Sequence, residues 1–233
     1  MKVHTEYEQG SLEWEIARAG KITASEADAL ITPLGKIRTG EGVKSYLCRK
    51  LAEKWTGLPL PKKEGIWDLT QGHFLEEYAR PAFTLETGIE VSTCAFIEDD
   101  NGVLGCSPDG LISNDCGLEL KSPHIETHIG YLLDGIVPSS YVSQIQFSML
   151  VTRFTHYYFC SFRRGLPLLV LDVPRDDKFQ SALDEAVQGF LEDLDAGWQK
   201  LCERNGGPPP KRRAFVPSPE SEDNPYVEVG ITP

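Results

Sequence analysis

The stretch Leu104–Pro123, LGCSPDGLISNDCGLELKSP, constrains the fold of this chain more than any other. Val103 to Cys106 and Leu111 to Ser113 are rich in β-formers, Asn114-Asp115-Cys116-Gly117 is a turn cluster, and Gly117 to Ser122 then reads as a strand. Side chains alternate across a strand, so Leu118 and Leu120 can enter a core while Glu119 and Lys121 share the opposite face. If the two strands pair as neighbours, Asp109 on the Pro108-Asp109-Gly110 corner comes close to Glu119. Two carboxylates then stand beside one ammonium group.

Nearby carboxylates repel each other, and the repulsion is relieved by a proton or by a hard cation such as Mg²⁺, which prefers oxygen ligands. Such a metal lowers the pKa of a bound water and neutralises charge building on a phosphate. Lys121 can orient or deprotonate the attacking water, or stabilise a pentavalent phosphorus electrostatically. An Asp, a Glu and a Lys within a dozen residues are also common on solvated hairpins, so the rest of the chain has to decide between these readings.

At 233 residues the chain has room for one large α/β domain, which we place at residues 1–204, followed by a Pro-rich tail at 205–233. It contains no 18-residue apolar run, and acids stand where a secretory signal would have its apolar centre, so the expectation is a cytosolic protein with no membrane partner. Six cysteines show no CxxC pair and no Cys/His spacing typical of zinc, which favours free thiols in a reducing compartment. His124 and His128 stand four apart, but without an acid partner pattern they do not suggest a metal site.

The net charge of −12 argues against indiscriminate nucleic-acid binding. Its distribution is uneven. Ile16 to Glu64 carries ten Lys/Arg against five Asp/Glu, a local +5 that leaves −17 for the rest. That pattern suits a basic DNA-binding lobe on an acidic body, and equally a helix face of mixed charge.

Along the chain, Ser11 to Ala19 reads as a helix capped by Ser11 and broken at Gly20. Thr23 and Glu26 have capping-box spacing at the start of a second helix, whose exposed N–H groups could hold a phosphate if they are not simply capped. Gly42 to Trp55 is a third helix, and Trp67 to Gly88 a helical segment that Pro81 either kinks or restarts, with Glu76 and Glu77 in its middle. Val91 to Ile97 and Val103 to Ser107 form a hairpin around Asn101-Gly102. After Lys121 an irregular crossover leads to Pro138. Ser139 to Val151 is then a helix with Val142, Ile145 and Met149 as its buried stripe, and Gln144 and Gln146 beside it. Two amides bordering a core stripe need hydrogen-bond partners, and a catalytic lysine or a phosphate would serve. Thr155 to Phe162 and Pro167 to Val173 are strands, Asp176 to Lys200 is a long amphipathic helix, and Tyr226 to Ile231 could add a strand to the tail.

Four dispersed segments, WEIARAGKITASE (Trp14 to Glu26), GHFLEEYAR (Gly72 to Arg80), CSPDGLISNDCGLELKSP (Cys106 to Pro123) and YVSQIQFSMLVT (Tyr141 to Thr152), occur together in this order. In them the chain resembles the lambda exonuclease, YqaJ-like group of phage nucleases within the PD…(D/E)xK superfamily. The resemblance implies an α/β restriction-endonuclease-like core, a central mixed β-sheet flanked by α-helices. It implies Mg²⁺, with Mn²⁺ as a substitute, held by Asp109, Glu119 and the backbone carbonyl of Leu120, with Lys121 acting on the water. Glu76 matches the helix glutamate of that site, although Glu77 next to it leaves the position open by one. Gln144 matches the first glutamine of the family's QxQ helix, and Arg18 and Ser25 match residues that contact the 5′-phosphate of the digested strand. Also implied are double-stranded DNA ends as substrate, a homotrimeric ring, a single-strand annealing protein as partner, and a phage or prophage origin in a bacterial cytoplasm. Residues after Trp198 match no motif of the family.

The expected function is a 5′→3′ exonuclease that digests one strand of linear duplex DNA to mononucleotides and leaves a 3′ overhang for recombination. Two alternatives share the core: a restriction-like or structure-specific endonuclease, and a non-catalytic DNA-binding module, which predicts a broken Asp/Glu/Lys set. A Cas4-like iron–sulfur nuclease would need clustered cysteines that this chain lacks. Asp109→Ala and Lys121→Ala are expected to abolish cleavage with little effect on folding.

Overall fold

The computed structural model describes residues 1–61 and 78–209. Glu76, Glu77, Lys62, Lys63, the proposed Tyr226 to Ile231 strand and most of the tail lie outside the described residues. In chain order the elements are β1 (Lys2–His4), α1 (Leu12–Arg18), β2 (Ile22–Thr23), a 3₁₀ turn (Ala24–Ala29), α2 (Glu41–Thr56), a helix α3 over 78–87, β3 (Phe96–Glu98), β4 (Leu104–Cys106), β5 (Gly110–Ser113) and β6 (Cys116–Lys121). They continue with α4 (Ile125–Asp134), α5 (Ser139–Thr152), β7 (His156–Ser161), β8 (Leu169–Pro174) and α6 (Asp177–Arg204).

The α/β core expected from the sequence is present, and its strands divide between two four-stranded mixed sheets. One has the order β1-β3-β4-β2 and the other β5-β6-β7-β8. β6 pairs antiparallel to β5 and parallel to β7, and the isolated bridge between Ser92 and Leu111 ties β5 to the chain leading into β3. The β3–β4 hairpin turns where Gly102 takes φ +69°, and the Asp99 carboxylate accepts hydrogen bonds from the Val103 and Leu104 N–H groups on its far side. In β6, Gly117 lies opposite Tyr157, whose ring would stand 2.3 Å from any Cβ there. A glycine in a strand interior here marks the close approach of an aromatic ring.

β6 is buried along nearly its whole length, as a strand with neighbours on both edges and cover on both faces must be. Leu118 and Leu120 pack with Ala79 and Phe83 of α3 and with Cys160. Glu119, 1% exposed, faces α5 on the other side. α5 is buried on most of its circumference rather than along one stripe. Ile145 and Met149 meet Phe154, Tyr157 and Phe159, while Phe147 and Val151 join a second cluster with Ile22, Leu30, Leu183 and Val187. A helix packed between two cores explains why its sequence carries small residues such as Ser143 and Ser148 at buried positions.

α6 begins at Asp176, whose carboxylate accepts from the Lys178 and Phe179 N–H groups at 3.0 Å. Phe179, Leu183, Val187, Phe190 and Leu194 are buried as the periodicity requires, and Trp198 packs edge-on against Trp55. Gln146 belongs to this contact. Its side-chain carbonyl accepts from the Asp176 N–H and from Gln180 Nε2, and its own amide donates to Pro174. Of the two amides flagged in the sequence, Gln146 therefore joins α5 to α6.

Two expectations are corrected. The segment after Lys121 is a helix, α4, where an irregular crossover was expected. Its buried face supplies His128, hydrogen-bonded to Ser161 Oγ at 2.8 Å and Pro167 O at 3.0 Å, whereas Ile125, Ile129 and Leu133 point outward. The helix expected after Thr23 is a six-residue 3₁₀ turn, and Thr23 forms no capping bond to its backbone; the hydroxyl donates to Glu26 at 2.9 Å instead. A six-residue 3₁₀ segment has neither the length nor the aligned dipole of an anion-binding helix terminus. The six cysteines are unbridged, as the sequence implied.

Candidate active site

Asp109 stands at the corner entering β5 and is fixed through three of its atoms. Its N–H donates to Leu118 O at 3.0 Å, Oδ2 accepts from the Leu120 N–H at 2.6 Å, and its carbonyl accepts from Arg80 Nε and Nη2 at 3.2 and 2.9 Å. The carboxylate is thereby held against the middle of β6. Gln9 secures the preceding carbonyl, Pro108 O, at 3.0 Å.

Glu119 Oε1 accepts from Gln144 Nε2 at 2.5 Å and meets Lys121 Nζ at 2.6 Å. The strand alternation that puts residues 119 and 121 on one face thus delivers their charges to one point, and α5 supplies the amide that fixes the carboxylate. Lys121 Nζ also lies 5.3 Å from the centroid of the Tyr141 ring, which stacks on Phe159. Tyr131 closes this side. Burial, then the neighbouring Tyr141, pushes its phenol up to about 12, so the hydroxyl keeps its proton at neutral pH.

The donor chemistry fits a hard divalent cation. Asp109 and Glu119 offer carboxylate oxygens, and Leu120, between Glu119 and Lys121, can add a carbonyl. The buried thiols nearby are unsuitable as ligands: burial, then the charge of Asp109, raises Cys94 to about 11, and burial raises Cys160 to about 12. Among the described residues no three His, Cys, Asp or Glu side chains gather as a complete metal site. Glu76 and Glu77, the candidates for a further acid, lie outside them.

A second cluster lies at the end of α1. Arg18 Nη2 donates to Ser25 Oγ at 2.8 Å and approaches Thr23 Oγ1 at 3.4 Å, so the two residues expected to share a ligand are in contact. The guanidinium lies 4.0 Å above the Trp14 ring, whose indole N–H donates to Ala95 O and Ser107 Oγ at 3.0 Å. Burial lowers the Arg18 pKa and the charge of Glu26 partly restores it; arginine stays cationic throughout.

The basic excess of residues 16–64 is less available than its count suggests. Lys50 is 2% exposed between Glu26 Oε2 at 2.8 Å and Glu53 Oε2 at 2.9 Å, Arg49 pairs with Glu53 at 3.2 Å, and Lys21 with Glu98 at 2.8 Å. Glu53 also accepts from the Gly20 N–H at 3.1 Å, which fastens the end of α1 to α2. Lys21, Arg49 and Lys50 are thus engaged in ion pairs within the fold.

Residues 13–155 match the family model described as the YqaJ-like viral recombinase domain. The chain belongs to this family. The match takes in Arg18, Ser25, Asp109, Glu119, Lys121 and Gln144. Among solved structures, the alkaline exonuclease LHK-Exo from Laribacter hongkongensis is similar at a TM-score of 0.74 and 26% identity, covering 84% of this chain and 98% of that one. The same enzyme in complex with dAMP is similar at 0.74 and 27% identity, with the same coverage. A phage-related exonuclease from Haemophilus somnus 129PT shares the fold at a TM-score of 0.56 and 15% identity, over 78% of this chain and 96% of that one. The ExoD protein of Escherichia coli (strain K12) is 36% identical over 64 residues, 25% of this chain and 71% of the relative. Arg80 and Tyr141 contact residues of the candidate site, and sequence reasoning gave them no role. Arg80 and Tyr141 stood inside the matched motifs, four residues after Glu76 and three before Gln144, which was the only signal for them.

Proposed function

We propose that this protein is a metal-dependent exonuclease that digests the 5′-ended strand of linear double-stranded DNA to mononucleotides. The observation that carries the reading is the cluster of Glu119, Lys121 and Gln144 on β6, with the Asp109 carboxylate hydrogen-bonded to the Leu120 N–H of the same strand, in a chain of the YqaJ-like family whose solved relatives include exonucleases. One of those relatives was solved with dAMP, a mononucleotide, which supports the same class of product here.

Asp109, Glu119 and the Leu120 carbonyl would hold Mg²⁺, or Mn²⁺ in its place. When bound, the metal supplies Lewis-acid neutralisation of the phosphate and a water of lowered pKa. The chain's own residues do the rest. Gln144 keeps Glu119 in one rotamer, so the carboxylate needs no reorganisation on reaction. Lys121 places a positive charge beside that carboxylate, where it orients the attacking water and offsets the charge that grows on phosphorus. Water adds to phosphorus and the bond to the 3′-oxygen breaks, with a proton passing to that oxygen. Each turnover releases a 5′-mononucleotide and leaves a new 5′-phosphate on the shortened strand.

Arg18 and Ser25 bind that phosphate. Arg18 is cationic, stacked on Trp14 and already hydrogen-bonded to Ser25, so little side-chain freedom is lost when an anion arrives. Arg18→Ala is expected to reduce the preference for 5′-phosphorylated over 5′-hydroxyl ends by roughly tenfold or more, the worth of a charge-assisted hydrogen bond of about 1.5–3 kcal/mol. Competition between the two ends in single-turnover digestion checks this, and equal loss on both would remove Arg18 from the role. A homotrimeric ring around DNA and an annealing protein that takes up the 3′ overhang complete the reading.

The experiment is digestion, with Mg²⁺ and with EDTA, of linear duplexes labelled separately at each end, beside a closed circular plasmid. Metal-dependent loss of the 5′-ended strand with the circle intact is expected. Nicking of the circle would make the protein an endonuclease on the same core, and no cleavage would make it a binding module.

A further inference from the structure

Asp109 is restrained at several atoms, and one of those restraints comes from a residue outside the metal-ligand set. Arg80 on α3 sends two N–H groups, Nε at 3.2 Å and Nη2 at 2.9 Å, to the single main-chain carbonyl of Asp109. α3 itself is seated on the back of β6 by the fully buried Ala79 and Phe83, which pack with Leu118 and Leu120. One helix thus touches the side chains that flank Glu119 and the backbone that carries Asp109.

We propose that Arg80 is a positioning residue for metal binding, setting the carboxylate of Asp109 relative to that of Glu119. The inference rests on the reading of Asp109 as a metal ligand. The geometry leaves the orientation of Asp109 little freedom. Its N–H is bound to Leu118 O, its Oδ2 to the Leu120 N–H, and Gln9 holds Pro108 O, so the Arg80 fork supplies the restraint on the remaining polar backbone group. The restraints therefore act on the backbone of Asp109 and on Oδ2 of its carboxylate. The guanidinium also brings a positive charge to the carbonyl side of the turn, and a two-bond fork fixes direction as well as distance in a way one ammonium cannot.

The test uses the full-length protein with Mn²⁺ titrated calorimetrically in the absence of DNA, together with kcat and KM on a 5′-phosphorylated linear duplex. Loss of a group that orients a metal ligand typically weakens metal affinity or activity by about 10–100-fold. Arg80→Ala is expected to weaken Mn²⁺ binding and lower kcat within that range while leaving KM for DNA unchanged, and Arg80→Lys to recover part of both. Asp109→Asn serves as the control. If it binds Mn²⁺ like the wild type, the metal reading of the site fails; if it loses Mn²⁺ while Arg80→Ala binds normally, the inference about Arg80 alone is overturned. Thermal unfolding of each variant completes the comparison. Loss of the fold in both Arg80 variants would make the residue a structural tie between α3 and β5, and would overturn the inference as well.

Discussion

Asp109→Asn and Lys121→Met are each expected to lower cleavage of linear duplex DNA by about a thousandfold, the scale of removing a preorganised electrostatic group from an active site. The choice of replacement matters because neither parent residue is structurally idle. Asp109 Oδ2 accepts the Leu120 N–H at 2.6 Å, and alanine there would orphan a donor inside the sheet at a cost of about 1–3 kcal/mol. Asparagine keeps an oxygen at that position and removes only the charge. Lys121 neutralises Glu119, which is 1% exposed, so its removal takes the ammonium from beside a buried carboxylate. The expectation that alanine variants at both positions fold unchanged is therefore revised: each should show a lowered melting temperature. Activity assays run well below the transition separate the two effects. Cleavage within tenfold of wild type in either variant, with the protein folded, would sink the site assignment.

Lys50→Met should be strongly destabilising although it lies outside the candidate active site. Lys50 is 2% exposed and bridges Glu26 and Glu53. Removing one partner of a buried ion cluster costs about 3–5 kcal/mol, because the remaining charges stay desolvated. Arg49, 3.2 Å from Glu53 and 3.9 Å from Glu26, offsets part of that and places the expectation at the lower end. A loss of about 3 kcal/mol corresponds to a fall in Tm of about 6–12 °C for a chain of this size.

The pH dependence distinguishes this account from simple cavity formation. Burial would raise the Glu26 carboxyl, but the charge and hydrogen bond of Lys50, followed by Thr23 and Arg18, hold it below the usual carboxylate range. Its folded pKa is thus lower than its unfolded one, near 4.3 for a free glutamate. The stabilisation it confers is complete above the unfolded value and is lost as pH falls through the folded value. In Lys50→Met the largest opposition to burial is gone while Thr23 and Arg18 remain, so the folded pKa rises and the variant loses less stability than the wild type on acidification. Urea midpoints at pH 7, 5 and 4 should therefore converge between the two proteins. A gap that stays constant would show that the lysine contributes packing and no charge.

Much of the molecule was legible because its information is local. Ser11 and Asp176 cap the helices that follow them, and Gly102 takes the positive φ that its turn requires. The alternation of Leu118-Glu119-Leu120-Lys121 separates the two leucines, packed in a core, from the paired Glu119 and Lys121, since a strand's period of two admits no other arrangement. α4 escaped because its apolar residues face outward while its buried face offers a histidine and a tyrosine, the reverse of the pattern that signals an amphipathic helix. The charge count of residues 16–64 could not show which pairs form, since the contacts of Lys50 and Arg49 with Glu26 and Glu53 depend on how the elements pack.

By itself the sequence determined most of the elements, the shared face of Glu119 and Lys121 and the family that the motifs mark. Only the tertiary structure decided that Gln144 serves Glu119 while Gln146 serves α6, that Arg18 meets Ser25 above Trp14, and that Arg80 grips the backbone of Asp109. The physical reason is the span of these contacts. Asp109 and Arg80 are 29 residues apart and Glu119 and Gln144 are 25 apart, so their pairing depends on how whole elements pack, whereas propensity and periodicity act over a turn or a strand.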